Sequence, residues 1–215
     1  NDGNVVVGDY GVAGDVINEI GGSSEDKADS ITLSSASSID QLSFSRTEIK
    51  NEEWGNTLQI DVDYDGDNAV DDTLFVFDHY NQDLGFRAVE QLFLDDGWDT
   101  DEIWNLIVGD NSNGSTDNYI GTSGQDILMA GYDASVLRGG NGKDIMIGDE
   151  YGTATTTFEL GTNTGEWDEI ADVIQNFGSE DQIDLSYLGI TANELSANGS
   201  ELVGQIEGDA VTLAS

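Results

Sequence analysis

Residues 112–147 divide without insertion or gap into four nonapeptides, SNGSTDNYI, GTSGQDILM, AGYDASVLR and GGNGKDIMI. The sixth position of these units carries Asp117, Asp126, Ser135 and Asp144. The eighth position carries Tyr119, Leu128, Leu137 and Met146. Self-similarity at a fixed period indicates a repeat architecture, in which one turn and one short strand form the unit that stacks on its neighbours.

The residue types within each unit favour a turn that binds a cation. Glycines allow backbone conformations closed to other residues, so the carbonyls of a six-residue turn can point inward. The aspartate adds a charged oxygen of the kind that Ca²⁺ prefers, and the apolar eighth residue would fill a core. A single Gly-Asp turn could simply connect two strands of a hairpin and bind no ion, but four units in phase favour the cation-binding interpretation.

The units match the pattern G-G-x-G-x-D-x-U-x and resemble the nonapeptides of RTX, or repeat-in-toxin, proteins, which form a calcium-bound parallel β-roll. The resemblance implies two nonapeptides per coil, so turns two units apart stack on the same edge. Asp126 and Asp144, which are 18 residues apart, would then share one Ca²⁺. The resemblance also implies carbonyl ligands from these two turns, at Gly121, Ser123, Gly140 and Gly142.

The opposite edge of such a roll departs from the pattern. Asp117 would stack on Ser135, which lacks a carboxylate, and Ala130 replaces the first glycine of its unit. This edge would hold either a weaker site or one that is re-wired through Asp133. Asp149 is a further candidate ligand, since it ends the third copy of a string of three apolar residues followed by Gly-Asp.

The charge balance independently points to divalent cations. The 215 residues include 44 Asp and Glu but six Lys and Arg, which gives a formal net charge of -38. Self-repulsion of this density opposes compaction unless cations neutralise it. The balance argues against nucleic-acid binding and against docking on an anionic membrane, both of which need basic surface. An acidic surface that only keeps the protein soluble in a salty medium is the alternative explanation.

Short apolar runs separated by Gly, Asp, Asn and Ser clusters predict an all-β chain of many short strands. Helical periodicity is found at 86–93, which would equally suit a strand, and at 100–107, where Thr100 is a candidate N-cap. We therefore expect a short parallel β-roll flanked by capping strands and one or two short helices. No run approaches the ~18 apolar residues of a membrane span. No cysteine is available for a disulfide or a thiolate site.

The segment ADVIQNFGSEDQIDLSYLGI at 171–190 resembles the one that ends RTX rolls in serralysin-type proteases and type I secreted adhesins. Asn176 stands where that pattern has an aspartate before Phe177. In the family this C-terminal region carries the uncleaved secretion signal. Asp172 is either the ligand that closes the last calcium turn or a surface residue that begins a strand. The final GDAVTLAS predicts a last edge strand.

Residues 41–108 resemble the haemolysin-type calcium-binding-related region that accompanies RTX repeats, through LSFSR, NTLQIDV, DTLFVFDHY and AVEQLFLDDGW. They depart from it by an acidic insertion, DVDYDGDNAVDD at 61–72. Its residues fall at positions 1, 3, 5, 6, 7 and 12 of the EF-hand loop pattern: Asp61, Asp63, Asp65, Gly66, Asp67 and Asp72. Because strand patterns flank it, we predict a calcium loop within a β-hairpin; a solvated acidic turn is the alternative.

The sequence lacks the parts of a hydrolase. His79 is the only histidine, and neither H-E-x-x-H nor G-x-S-x-G occurs. A carboxylate-pair glycosidase finds no supporting constellation among the many acidic residues. His79 is expected to pack or to lie on the surface, and packing is also expected for Trp54, Trp98, Trp104 and Trp167. We predict no enzymatic activity.

These features divide the chain into four regions. We predict a cap of N-terminal strands at 1–40, the calcium-binding-related region at 41–108, the nonapeptide roll at 109–157 and a capping and secretion-signal region at 158–215. Asn1 opens without a signal-peptide pattern, so we expect a piece of a longer chain.

The function expected from this organisation is a calcium-dependent folding module at the C-terminal end of a secreted, extracellular adhesin of the cell surface. Its partners would be several calcium ions, the type I secretion machinery and the upstream adhesin chain; nucleic-acid binding and membrane insertion are not expected, and the module would be a monomer. Calcium outside the cell would fill the sites and drive folding. The alternatives are a calcium-dependent peptide- or sugar-binding adhesin domain and an accessory RTX domain of a secreted protease, lipase or epimerase.

Overall fold

The computed structural model describes residues 4–7, 15–17, 30–33, 36, 38–47, 57–76, 91–94, 102–109, 116–149, 154–161, 172–198, 201–206 and 209–214. The chain forms two compact units, Asn1–Trp104 and Asn105–Ser215. Among the described residues, no helix has the length and apolar character needed to cross a membrane. The finer division into four regions remains a prediction.

The described strands of the first unit pair in two groups. Three strands pair in parallel, in the order β1 (Asn4–Val7), β3 (Ser30–Leu33) and β7 (Gln91–Leu94). In the second sheet β2 (Asp15–Ile17) pairs in parallel with β6 (Asp72–Val76), β6 pairs antiparallel with β5 (Thr57–Val62), and β5 pairs antiparallel with β4 (Leu42–Thr47). Alternating apolar residues of β5 and β6 are buried, as expected for strands with one face on a core. This sheet holds the acidic loop at its β5–β6 connection.

The second unit is built on a parallel roll whose chain alternates between two sheets. One sheet carries, in order, β8 (Glu102–Val108), β10 (Gln125–Met129), β12 (Ile145–Ile147) and β14 (Val173–Gln175). The other carries β9 (Asp117–Ile120), β11 (Ser135–Arg138), β13 (Thr156–Glu159) and β15 (Gln182–Asp184). The expected all-β fold with a short parallel roll is confirmed.

The eighth positions of the nonapeptides build the core of the roll. Leu128, Leu137 and Met146 are completely buried, and Tyr119 packs against the same cluster. Phe158 joins them from β13 with no exposed surface. Because successive strand residues point to opposite faces, one apolar residue at a fixed position of every unit is sufficient to line the interior. The core role of the eighth position is therefore confirmed.

The side chains of Leu185, Leu188, Ile190, Leu195 and Leu202 pack against the core of the roll. We refer to the described residues of 185–214 as the C-terminal cap. They include the antiparallel strands β16 (Leu195–Asn198), β17 (Glu201–Ile206) and β18 (Asp209–Ala214), and β18 is the last edge strand expected from GDAVTLAS. The guanidinium of Arg138 in β11 contacts the Glu159 carboxylate and lies 4.1 Å from the centroid of the Tyr187 ring. This cation–π contact ties the cap to the roll.

The prediction of a helix at 100–107 is wrong, since its described part lies in strand β8. Over residues 103–106 burial follows the alternation of a strand, since Trp104 and Leu106 are buried whereas Ile103 is 45% exposed. Pairing with β10 supplies the backbone hydrogen bonds that local helical propensity would otherwise satisfy. The described helices are three short 3-10 turns, Ile39–Gln41, Ser186–Leu188 and Ala192–Glu194.

Candidate metal centre

Three aspartates form a column along one edge of the roll, and we call Asp126, Asp144 and Asp172 the aspartate edge. Strand pairing sets the column, because Ile127 pairs with Ile145 and Ile145 pairs with Val173, and each aspartate precedes one of these residues. Asp126 and Asp144 are completely buried and Asp172 is 8% exposed. Asp172 is thus not a surface residue, and it extends the column by one coil.

The same hydrogen bond links each aspartate to the next. The backbone N–H of Asp126 donates to Oδ1 of Asp144 at 2.9 Å, and the N–H of Asp144 donates to Oδ1 of Asp172 at 3.3 Å. Before the column, the Asn105 amide donates to Oδ1 of Asp126 at 2.8 Å. Asn105 was not anticipated from the sequence, although it is the one polar residue in the apolar run 103–108.

The turns that carry the aspartates are stacked so closely that only glycine fits at several positions. A Cβ atom on Gly121 would lie 2.7 Å from Oδ2 of Asp126, and one on Gly139 would lie 2.7 Å from Cγ of Asp144. Gly142 has φ +108°, and its Cβ would lie 2.8 Å from the carbonyl oxygen of Gly124 in the preceding coil. The glycines therefore let each carboxylate fold over its own turn.

The four carbonyl ligands implied by the resemblance lie in these two turns. Gly121 and Ser123 belong to the turn before β10, and Gly140 and Gly142 belong to the turn before β12. Gly140 and Gly142 both adopt positive φ, +112° and +108°. Their roles as calcium ligands remain predictions.

Between Asp117 and Asp181, the opposite edge carries two hydroxyls where the aspartate edge carries carboxylates, and we call Ser135 and Thr156 the hydroxyl edge. Ser135 pairs with Asp117 in β9 and with Thr156 in β13. The expected neighbourhood of Asp117 and Ser135 is therefore confirmed. Ser135 donates its hydroxyl to the Asp133 carbonyl at 3.0 Å, which places Asp133 in the same turn through its backbone.

Asp181 closes this side of the roll and was missed as a site residue. Its Oδ1 accepts the N–H of Thr156 at 2.7 Å and its Oδ2 accepts the N–H of Gly178 at 2.8 Å. The signal was available in the sequence, since Asp181 is followed two residues later by the apolar Ile183 of β15, as in the nonapeptides. Asp149, also a predicted ligand, is 8% exposed, and its Oδ2 accepts the N–H of Ala154 at 3.1 Å.

The acidic loop between β5 and β6 gathers a different trio from the one that the EF-hand spacing predicts. Carboxylate oxygens of Asp63, Asp65 and Asp71 lie within 4.8 Å of one another. Tyr64 donates its N–H to Asp71 at 2.8 Å, which fixes that carboxylate over the loop. Asp71 was not predicted, because the EF-hand spacing assigns position 12 to Asp72.

The other predicted residues of this loop are engaged elsewhere. Asp61, in β5, accepts the Thr73 hydroxyl at 2.6 Å from the paired strand. Asp72 accepts the N–H of Thr73 at 2.8 Å, and Asp67 accepts the N–H of Ala69 at 2.8 Å. The hairpin itself is confirmed, since β5 and β6 pair antiparallel on either side of the loop.

A family model of the RTX calcium-binding nonapeptide repeat, in four copies, matches residues 120–150. These residues are RTX repeats. The match contains the turns of Asp126 and Asp144, and RTX nonapeptides bind calcium ions, so calcium is the ion of this array. Asp117, Asp172 and Asp181 lie outside the matched stretch but continue its two edges by strand register and hydrogen bonding.

Matches to whole proteins are weaker. The extracellular lipase LipA from Serratia marcescens matches with 14% sequence identity and a TM-score of 0.26. This match covers all of the present chain and 36% of the lipase chain, and at that TM-score it carries no argument. No curated protein matches the sequence.

The oxygen atoms of the RTX turns suit a calcium ion. Among the described residues, the donors that contact Asp126 are the Asn105 amide and the N–H and hydroxyl of Thr122, all of them neutral. Neutral donors stabilise a buried carboxylate but do not cancel its charge, and a buried charge without a counterion is strongly unfavourable. A hard divalent cation held by Asp126, Asp144 and Asp172 together with turn carbonyls would supply that balance.

Some predictions fall outside the described residues. These are the packing of His79, Trp54, Trp98 and Trp167 and the helix N-cap at Thr100. Trp104 is described and completely buried, which confirms its expected packing role.

Proposed function

We propose that the chain is a calcium-dependent folding module at the C-terminal end of a larger secreted adhesin, without catalytic activity of its own. The observation that carries this proposal is the column of three buried carboxylates in a chain of formal charge -38. Folding without calcium would bury these charges uncompensated. Calcium binding free energy then becomes folding free energy.

The secretion role rests on the resemblance of 171–190 to the ends of type I secreted RTX proteins. RTX repeat proteins are typically secreted, and calcium is scarce inside cells and millimolar outside them. Sites with affinities of roughly 10⁻⁴ to 10⁻³ M would be empty before export and filled after it. An unfolded chain would pass the type I exporter, and folding outside would oppose its return.

The test of the folding role is circular dichroism of the whole chain, started in chelator and titrated with CaCl₂ to 10 mM, with MgCl₂ as the control. We expect a cooperative gain of β-structure with calcium, and a smaller response to magnesium, which demands a tighter octahedral shell. A chain that is fully β-structured in chelator, with an unchanged urea midpoint after calcium, would refute the folding role.

The secretion role has a separate test. The chain, fused behind a passenger protein, is co-expressed with a type I exporter, and a matched fusion lacks residues 201–215. We expect export of the complete fusion and retention of the shortened one. Equal export of both would contradict a C-terminal signal in this segment.

A second candidate function is calcium-dependent ligand binding in the first unit. A cavity beside the acidic loop favours it. A cavity of about 200 Å³ opens beside the acidic loop and includes Asp63, a member of the carboxylate trio. Its lining combines carboxylates with exposed aliphatic surface at Val70. A calcium ion at Asp63 would offer ligand oxygens an open position. Calorimetric titration with acidic peptides and with sugars, in calcium and in chelator, tests it; Asp63→Asn is expected to abolish any calcium-dependent heat.

A further inference from the structure

The two edges of the roll close their turns with the same geometry but different chemistry. On the aspartate edge, Thr122 at the second position of its nonapeptide donates its N–H to Oδ2 of Asp126 at the sixth, at 2.6 Å. On the hydroxyl edge, Gly131 at the second position donates its N–H to Oγ of Ser135 at the sixth, at 3.2 Å. The hydroxyl thus takes the structural place of the carboxylate.

The Ser135 hydroxyl makes its hydrogen bonds within its own turn. Its oxygen accepts from Gly131, and its hydrogen is donated to the Asp133 carbonyl at 3.0 Å. The side chain is 1% exposed, so these two partners replace water. Because the group is neutral and hydrogen bonded in both directions, burying it requires no counterion.

Thr156 accepts a backbone N–H in the same way one coil later. The N–H of Asp149 donates to its Oγ1 at 3.3 Å, and the residue is 1% exposed. The Asp149 carboxylate turns back to accept the N–H of Ala154 at 3.1 Å, which closes the longer loop of this coil. Two successive turns on this edge are therefore held by neutral hydroxyls at the position that RTX repeats reserve for aspartate.

We propose that the roll binds calcium on the aspartate edge, in one site between Asp126 and Asp144 and one between Asp144 and Asp172, whereas the turns of Ser135 and Thr156 close without an ion. The proposal rests on the calcium-binding function above and specifies where that function acts. Closure of the turns on the aspartate edge then depends on calcium, whereas the hydrogen bonds that close the turns of Ser135 and Thr156 form at every calcium concentration. Asp133 and Asp149 act as structural groups of the hydroxyl edge.

The experiment counts calcium ions bound per chain at saturation, by native mass spectrometry and equilibrium dialysis, on the whole chain and its variants. Any ions of the acidic loop are common to all variants, so differences report on the roll. Asp144→Asn is expected to lose two ions, since Asp144 belongs to both proposed sites, and Asp126→Asn one. Ser135→Ala and Thr156→Ala are expected to keep the parental count.

Loss of an ion from Ser135→Ala or Thr156→Ala, with Asp144→Asn as the positive control, would overturn the proposal. If an alanine variant does not fold at saturating calcium, Asp133→Asn and Asp149→Asn decide, because these keep both hydroxyls. An unchanged count in both supports the proposal, and a lost ion in either refutes it. A parent chain that binds no calcium would instead refute the proposed function itself.

Discussion

The substitution Asp144→Asn separates the calcium-binding role of the aspartate edge from its packing role. Asp144 is completely buried in the middle of the column, and its Oδ1 accepts the N–H of Asp126 at 2.9 Å. Asparagine has the same shape and keeps a carbonyl oxygen for that hydrogen bond. The substitution removes the charge and leaves the packing in place.

The magnitude follows from the number of sites that share Asp144. A site with a dissociation constant of about 10⁻⁴ M, in 1 mM calcium, stabilises the folded state by RT ln(1 + [L]/Kd), about 1.4 kcal/mol. Two sites contribute roughly 3 kcal/mol, and we expect Asp144→Asn to lose that amount. Asp126→Asn, at the end of the column, serves as the matched control and is expected to lose about half of it.

The assay is urea unfolding in 1 mM calcium and residual β-structure in chelator, both followed by circular dichroism. In chelator the sign should change, because removing an uncompensated buried charge relieves its desolvation penalty. We expect Asp144→Asn to retain at least as much β-structure there as the parent chain. A variant that loses stability in calcium and also loses β-structure relative to the parent in chelator would refute the reasoning and make Asp144 a packing residue only.

Three further outcomes are expected. Gly139→Ala should abolish the calcium-induced transition seen by circular dichroism, because the new Cβ would clash with the Asp144 carboxylate and lie 2.7 Å from its Cγ. Gly124→Ala, whose Cβ has no neighbour nearer than 3.7 Å, should retain the transition. Equal behaviour of the two variants would argue against a requirement for glycine at position 139. Arg138→Leu should lower stability by roughly 1 kcal/mol by removing the contact to the C-terminal cap, and an unchanged urea midpoint would contradict that contact. The backbone N–H of Ser186 is the main cause that lowers the pKa of Asp184, followed by the Ser186 hydroxyl and by Arg138. The stability that Asp184 contributes is present above its unfolded pKa and is lost as pH falls through its lower folded pKa. Asp184→Asn should therefore reduce the loss of stability at acid pH, and an unchanged dependence of stability on acid pH would disprove this.

The nine-residue repeat, together with its resemblance to RTX nonapeptides, was enough to predict the roll. With two units per coil, a residue repeated every nine positions occupies equivalent places in the two sheets, so the apolar eighth residues share one interior. The 18-residue spacing likewise brought Asp126 beside Asp144. These relations are local and depend on the backbone repeat alone.

Outside the regular repeats, the sequence alone was insufficient to predict which residues lie side by side and which segments form strands. Asp172 lies 28 residues after Asp144, and only the pairing of β12 with β14 places it in the same column. Residues 102–107 have a helix-like pattern, yet a neighbouring strand offers backbone partners that make them part of β8.

The sequence by itself determined the period, the acidity and the residue types of the turns, because a turn and its strand are encoded within nine residues. The tertiary structure decided which carboxylates meet. Asp71 replaces Asp72 in the acidic loop because Asp72 enters strand β6 and bonds there to Thr73, a choice set by hairpin register. Outside the repeats, convergence of charged groups depends on strand pairing across the fold, and the spacing of residues along the chain does not specify it.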